Sequence, residues 1–202
     1  MIESGFSNVV SPAGATGFWQ LLKGTAKDYG LQVNKEIDER YDVEKSTQAA
    51  CKYFKKEYEE YNNWTLVAAA YNAGHNGINK LMKVQKAGSY YDMLVSDETN
   101  RYLYRILAMK MIFEDPESFG FYLQPEDYYE PIPYHTVEVN NPVDSWADFA
   151  KQRGISYKLL KYFNPWLRQP YLKNKKKKTY IIRIPDPPYN RTYKDFKKEL
   201  AE

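Results

Sequence analysis

The chain holds 202 residues, with 29 Lys+Arg against 26 Asp+Glu for a net charge of +3, and a mean hydropathy of −0.72. No run approaches the roughly 20 apolar residues of a membrane-spanning helix, and a composition of 43% hydrophobic and 27% charged residues excludes a chain disordered throughout. One cysteine, Cys51, and two histidines, His75 and His135, exclude an internal disulfide and a cysteine- or histidine-based metal cluster, so no metal and no cofactor is expected, and any catalysis must rest on carboxylates, hydroxyls or amides.

In chain order, Gly14 and Gly17 bracket Ala15-Thr16 ahead of Phe18-Trp19-Gln20, where missing side chains permit a tight turn or a close backbone approach to a ligand. Over residues 43–61, Ala50, Phe54, Tyr58 and Tyr61 recur at helical spacing with Lys and Glu between them. This predicts an amphipathic helix capped by Asp42, with Cys51 as a buried thiol. Trp64 to Ala73 is nearly all apolar and predicts a short core helix that ends at Gly74 and carries Tyr71 and Asn72 near its C-terminus. His75, just beyond, is expected at the surface. Ser96-Asp97-Glu98 opens a further long helix with Tyr102, Ile106, Met109 and Phe113 on one face. Five or more helices and no strand are expected within residues 1–115.

Pro116, Pro125, Pro131 and Pro133 then remove helical N–H donors and impose extended geometry, which marks a linker over 117–133. Charge changes across it: 14 basic and 19 acidic side chains before residue 134 give −5, whereas 15 basic and 7 acidic from there on give +8. Residues 134–139 and 179–185 alternate as strands, and residues 145–154 and 156–163 between them read as helices. Antiparallel pairing of the two strands is the simplest way to bury Val137, Phe149, Leu160 and Ile182 in one independent βααβ module. The expected fold class is therefore α+β: a mainly helical domain over 1–116, the linker 117–133, a small module over 134–188 and a tail over 189–202. The run Lys175, Lys176, Lys177 and Lys178 reads as a solvated turn before a strand; no nucleic-acid-binding fold accompanies it, and no nucleic-acid partner is expected.

Taken singly, these features have ordinary structural explanations: an Asn caps a helix, a Tyr fills a core, and Glu98 is a first-turn acid favoured by the helix dipole. Taken together, Glu3-Ser4, Ser11-Pro12-Ala13-Gly14-Ala15-Thr16-Gly17-Phe18-Trp19-Gln20, Ala70-Tyr71-Asn72-Ala73-Gly74 and Glu98-Thr99-x-x-Tyr102 form an ordered set. That set resembles the soluble lytic transglycosylase catalytic domain, a goose-lysozyme-like fold, and most closely the membrane-bound lytic murein transglycosylase D type. Ile37-Asp38-Glu39-Arg40-Tyr41-Asp42 followed by Ser46-Thr47 resembles the same subgroup, and the likeness covers roughly residues 1–115.

The resemblance implies cleavage of the β-1,4 bond between N-acetylmuramic acid and N-acetylglucosamine in peptidoglycan, with formation of 1,6-anhydromuramic acid. Protonating the leaving oxygen needs a carboxylic acid in an apolar setting, and Glu3, between Ile2 and Gly5-Phe6, is the candidate. A second carboxylate is not demanded where the substrate's own N-acetyl group assists. By analogy Asn72 orients that group with Tyr71 beside it, Ser11 and Gln20 line the loop side of the cleft, and Glu98 and Tyr102, one turn apart, close it opposite.

The resemblance also implies a helix ahead of Glu3, so the chain is expected to be N-terminally truncated, with any signal or lipid anchor outside it. The substrate implies the bacterial cell envelope, periplasmic or outer-membrane associated, with peptidoglycan glycan strands as partner and a monomeric state. Residues 134–185 resemble a LysM module, through Val137, Phe149-Ala150, Leu159-Leu160, Asn164 and Ile184-Pro185, which implies binding to N-acetylglucosamine chains. Asn140-Asn141-Pro142-Val143-Asp144 stands in place of that module's usual Gly-Asp turn. Two rival readings stand beside this one: a catalytically inactive peptidoglycan-binding protein, and a lysozyme-type hydrolase in which Asp38 or Asp42 activates water.

Overall fold

A computed structural model of the chain describes residues 1–190; the tail expected over 189–202 lies outside the described residues from 191 onward. Among those residues there are seven α-helices, α1 (Lys23–Asp28), α2 (Val43–Tyr61), α3 (Trp64–Ala73), α4 (His75–Gln85), α5 (Asp97–Glu114), α6 (Trp146–Gln152) and α7 (Tyr157–Phe163). One antiparallel sheet pairs β1 (Tyr134–Val139) with β2 (Tyr180–Pro185). The fold is α+β and mostly helical. By compactness, residues 1–7 and 47–129 form one unit, and residues 8–46 with 130–190 form another.

The first unit is built on α3. Asn63 starts this helix by accepting hydrogen bonds from Thr65 N and Leu66 N, and Gly74, at φ +83°, ends it. Being apolar nearly all round, α3 has to be buried: Leu66, Ala69 and Ala70 pack with Ile78 of α4, Tyr90, Met93 and Leu103 of α5. Ser96 caps α5 through the Thr99 N–H, and Asp97 and Glu98 occupy its first turn, where the dipole favours carboxylates. The expected inner face of α5 holds at Tyr102 and weakens along the helix, since Ile106 and Met109 are half-buried and Phe113 is 62% exposed. The Cys51 expectation is overturned: its thiol is exposed on α2. Ala50 and Tyr53 point inward, and the rotation of one helical residue carries position 51 to the outer face.

In the second unit, residues 8–21 form a looped segment braced by bridges of Thr16 to Val10 and Leu21. Gly17 is packed against the Arg40 main chain so closely that a Cβ would lie 2.0 Å from the Arg40 carbonyl oxygen. Of the two readings open for this glycine, close approach is the observed one, and the approached group belongs to the protein. The sheet registers Val137 opposite Ile182 and Val139 opposite Tyr180. Leu160 and Ile182 are fully buried in its core, with Val137 and Phe149 at the edge. Asn164 ties α7 to β2, donating to Leu160 O and Arg183 O and accepting from Arg183 N.

This βααβ module does not close its core alone. Ile37 and Tyr41 belong to the same buried cluster as Trp146, Leu160, Trp166 and Ile182. Asp38 N donates to Trp166 O at 2.9 Å and Arg168 N to Glu36 O at 2.8 Å, while Arg183 pairs with Asp42 at 3.4 Å and Glu44 at 3.0 Å. Two short helices and two strands enclose little volume, so a module of this size buries its apolar surface by taking in a neighbouring segment.

Candidate active site

Glu3 stands in a turn closed by Gly5 N donating to Met1 O at 2.8 Å, and its side chain is half-buried in the first unit. Burial raises its pKa, and the nearby Glu98 charge pushes the same way; the Tyr102 hydrogen bond and Arg105 oppose the rise without cancelling it. A carboxyl so placed holds its proton to higher pH than a solvated one. The Tyr102 hydroxyl donates to the carboxylate. Burial, together with the Glu3 charge, lifts the Tyr102 phenol far above its ordinary range, so it remains a neutral donor.

Tyr71 lies close enough to Glu3 to feel its charge, and burial pushes its phenol upward as well. Its ring is fixed by α2, edge-on to Tyr53 at 5.3 Å and tilted against Phe54 at 4.8 Å, while Tyr53 itself donates to Ala70 O at 3.1 Å. Asn72, the next residue, is oriented from α5. Its Oδ1 accepts from Thr99 Oγ1 at 2.9 Å, and Thr99 Oγ1 lies 3.0 Å from Ser96 Oγ. A planar amide whose oxygen faces Thr99 presents its NH₂ on the opposite edge, as a donor. Thr99 is 3% exposed, and nothing in its spacing from Asn72 announces this contact, because the two residues sit on different helices. Glu98 is exposed in the first turn of α5, one turn before the buried Tyr102.

The structure thus gathers Glu3, Tyr71, Asn72, Glu98 and Tyr102 in the first unit. Ser11 and Gln20 lie in the second, and both brace the segment they stand in. Ser11 Oγ accepts from Ala15 N at 3.1 Å, and Gln20 Nε2 donates to Gly17 O at 2.8 Å and Val9 O at 3.0 Å. Asp38 and Asp42 are committed elsewhere: Asp38 grips the buried Arg40 guanidinium through both oxygens, and Asp42 accepts from Lys45 N and pairs with Arg183.

His75, expected at the surface, is half-buried just past the Tyr71-Asn72-Ala73-Gly74 segment, its Nδ1 2.7 Å from the buried Glu57 and its Nε2 3.0 Å from Asn79 Nδ2. Tyr61 donates to Asn79 Oδ1 at 2.7 Å, and burial with the flanking Glu57 and Glu60 charges pushes its phenol up to about 12. This polar cluster fixes the start of α4 directly behind the Asn72 segment.

Residues 1–94 match the Transglycosylase SLT domain family, and residues 135–188 match the Soluble lytic transglycosylase C-terminal LysM-like domain. Two curated proteins, each a membrane-bound lytic murein transglycosylase D, from Escherichia coli strain K12 and from strain O6:H1, are 32% identical to the chain over 170 residues. Each alignment covers 81% of this chain and 37% of the relative, so the chain spans little more than a third of the curated relatives it matches.

Proposed function

For a chain that carries a transglycosylase SLT domain followed by a soluble-lytic-transglycosylase LysM-like domain, we propose the activity of a peptidoglycan lytic transglycosylase with Glu3 as its single acid/base. The observation that carries this reading is the state of Glu3: half-buried, raised in pKa and held by a hydrogen bond from Tyr102. Protonated Glu3 gives its proton to the oxygen leaving the muramic C1 as that bond breaks. The substrate's N-acetyl oxygen steadies the charge at C1. The muramic C6 hydroxyl then bonds to C1 and returns its proton to Glu3, so the 1,6-anhydro ring closes and the acid is regenerated.

In this reading Asn72 offers its NH₂ to the N-acetyl carbonyl, and Tyr71 forms the wall beside it. Tyr102 keeps the carboxyl in one rotamer through both proton transfers, and Glu98 supports the raised pKa. Ser11 and Gln20 hold the shape of their own loop segment, the LysM-like module holds N-acetylglucosamine along the strand, and the site of action is the bacterial cell envelope. A hydrolase would need a group to activate water, and both aspartates proposed for that task are tied up in ion pairs and caps.

The direct test is turnover of purified sacculi by the Glu3→Gln variant. The amide keeps the shape and the Tyr102 contact but has no proton to give, so release of soluble fragments should fall by about 10²–10⁴-fold with the fold unchanged. Undiminished release by that variant would leave the reading without an acid.

A further inference from the structure

Three of the four lysines read above as a solvated turn, Lys175, Lys176 and Lys178, line one wall of a groove. It lies within the second unit, has a volume of about 450 Å³, and runs between residues 32–37 and 173–180. Its lining presents five ammonium groups, from Lys35 on one side and Lys173, Lys175, Lys176 and Lys178 on the other, against one carboxylate, that of Glu36. That carboxylate is already engaged, accepting from Lys173 N at 2.8 Å. Among the described residues, none of the five lysines has a carboxylate within 4.0 Å; Lys178 Nζ instead donates to the neutral Gln32 side chain at 2.9 Å.

The wall is a built feature. Asn174, 6% exposed, donates from one amide to Asn140 O at 2.8 Å and Lys178 O at 2.7 Å and accepts from Lys178 N at 3.0 Å. Its hydrogen bonds fix the turn that carries the lysines, and Arg168 N bonded to Glu36 O anchors the opposite wall. The aromatic residue of the lining, Tyr180, is buried with its ring stacked on Trp166 at 5.9 Å, so the groove offers positive charge and no free stacking face for a sugar.

We propose that this groove binds carboxylates of the peptidoglycan stem peptides and holds the chain on the wall by charge. The ligand class follows from the donor set: several ammonium groups carried on one braced turn match an array of carboxylates, and stem peptides supply such an array along a strand whose sugars are neutral. The assignment rests on the proposed peptidoglycan substrate and adds to it a second recognition element that reads the peptide.

The test uses the chain with Glu3→Gln, so that sacculi stay intact, and measures co-sedimentation with purified sacculi at low salt. Replacing Lys173, Lys175 and Lys176 together by Gln should weaken binding roughly tenfold, and replacing all three by Arg should restore it. Sacculi whose carboxylates have been capped as amides should bind the parent chain as weakly as native sacculi bind the Gln variant. In about 0.5 M salt the two chains should bind alike. Equal binding of parent and Gln variant to native sacculi, or full binding of the parent to amidated sacculi, overturns the proposal. So does a Gln-sensitive attachment to vesicles of phosphatidylglycerol and phosphatidylcholine at roughly 1:3, in the absence of an amidation effect, since it assigns the groove to a lipid surface. Fragment release by the chain with Glu3 intact reports separately on lysis, so either reading can fail while the other stands.

Discussion

Burial has the largest influence on Glu3, and the direction it imposes fixes the pH behaviour of the site. A general acid must be protonated, so turnover should fall as pH rises through the raised pKa. Glu98→Gln removes a charge that helps raise it and should move this limb to lower pH, whereas Arg105→Gln removes an opposing charge and should move it to higher pH; kcat profiles of both variants check the two signs. Stability follows the same linkage. Because the folded pKa lies above the unfolded one, the contribution of Glu3 is fully present below the unfolded value, about 4.3, and is lost as pH rises through the folded pKa. Glu3→Gln should therefore melt at or above the parent at pH about 8 and lose that advantage near pH 4, which thermal melts at the two pH values would show. Thr99→Val takes from Asn72 the hydroxyl that orients it and should lower kcat roughly five- to tenfold with little change in KM, while Thr99→Ser keeps the parent rate. Glu3, Asn72 and Tyr102 were legible in the sequence as members of spaced motifs. The Thr99–Asn72 bond was not, since it joins two helices 27 residues apart and no local period encodes it.

At the level of elements, legibility tracked how local the cause was. The α3 boundaries and the Ser96 cap of α5 come from residues within a turn of each helix end, and both are where the sequence placed them. Cys51 departs from the apolar pattern around it: its neighbours Ala50 and Tyr53 are buried, and one residue of helical rotation separates inside from outside. Gly17 allowed two explanations, and only the position of Arg40 decides between them. A side chain at 17 would meet the Arg40 carbonyl at 2.0 Å with φ at +83°, whereas one at Gly14, φ +78°, meets nothing within 4 Å. Gly17→Ala should thus lose about 3 kcal/mol or more in urea denaturation and Gly14→Ala about 1 kcal/mol. Equal losses would mean that the backbone conformation alone, without the Arg40 contact, dictates glycine at 17.

Over the whole molecule, the charge contrast across residue 134 and the strand–helix–helix–strand order were readable, and the antiparallel pairing of β1 and β2 is as expected. What escaped was the sharing of the module's core with Ile37 and Tyr41, because contacts such as Lys173 to Glu36, 137 positions apart, leave no periodic trace. Ile37 is 1% exposed in that core. Ile37→Ala should cost about 2–5 kcal/mol and lower hydrogen-exchange protection in β1 and β2 as well as around residue 37; strands that stay fully protected would show a module stable by itself. The central claim, that Glu3 alone closes an anhydro ring, has its most direct test in mass spectrometry of the muropeptides released from purified sacculi. The fragments should carry 1,6-anhydromuramic ends that disappear with Glu3→Gln; fragments heavier by one water, with free reducing muramic acid, would rule out a Glu3-driven ring closure.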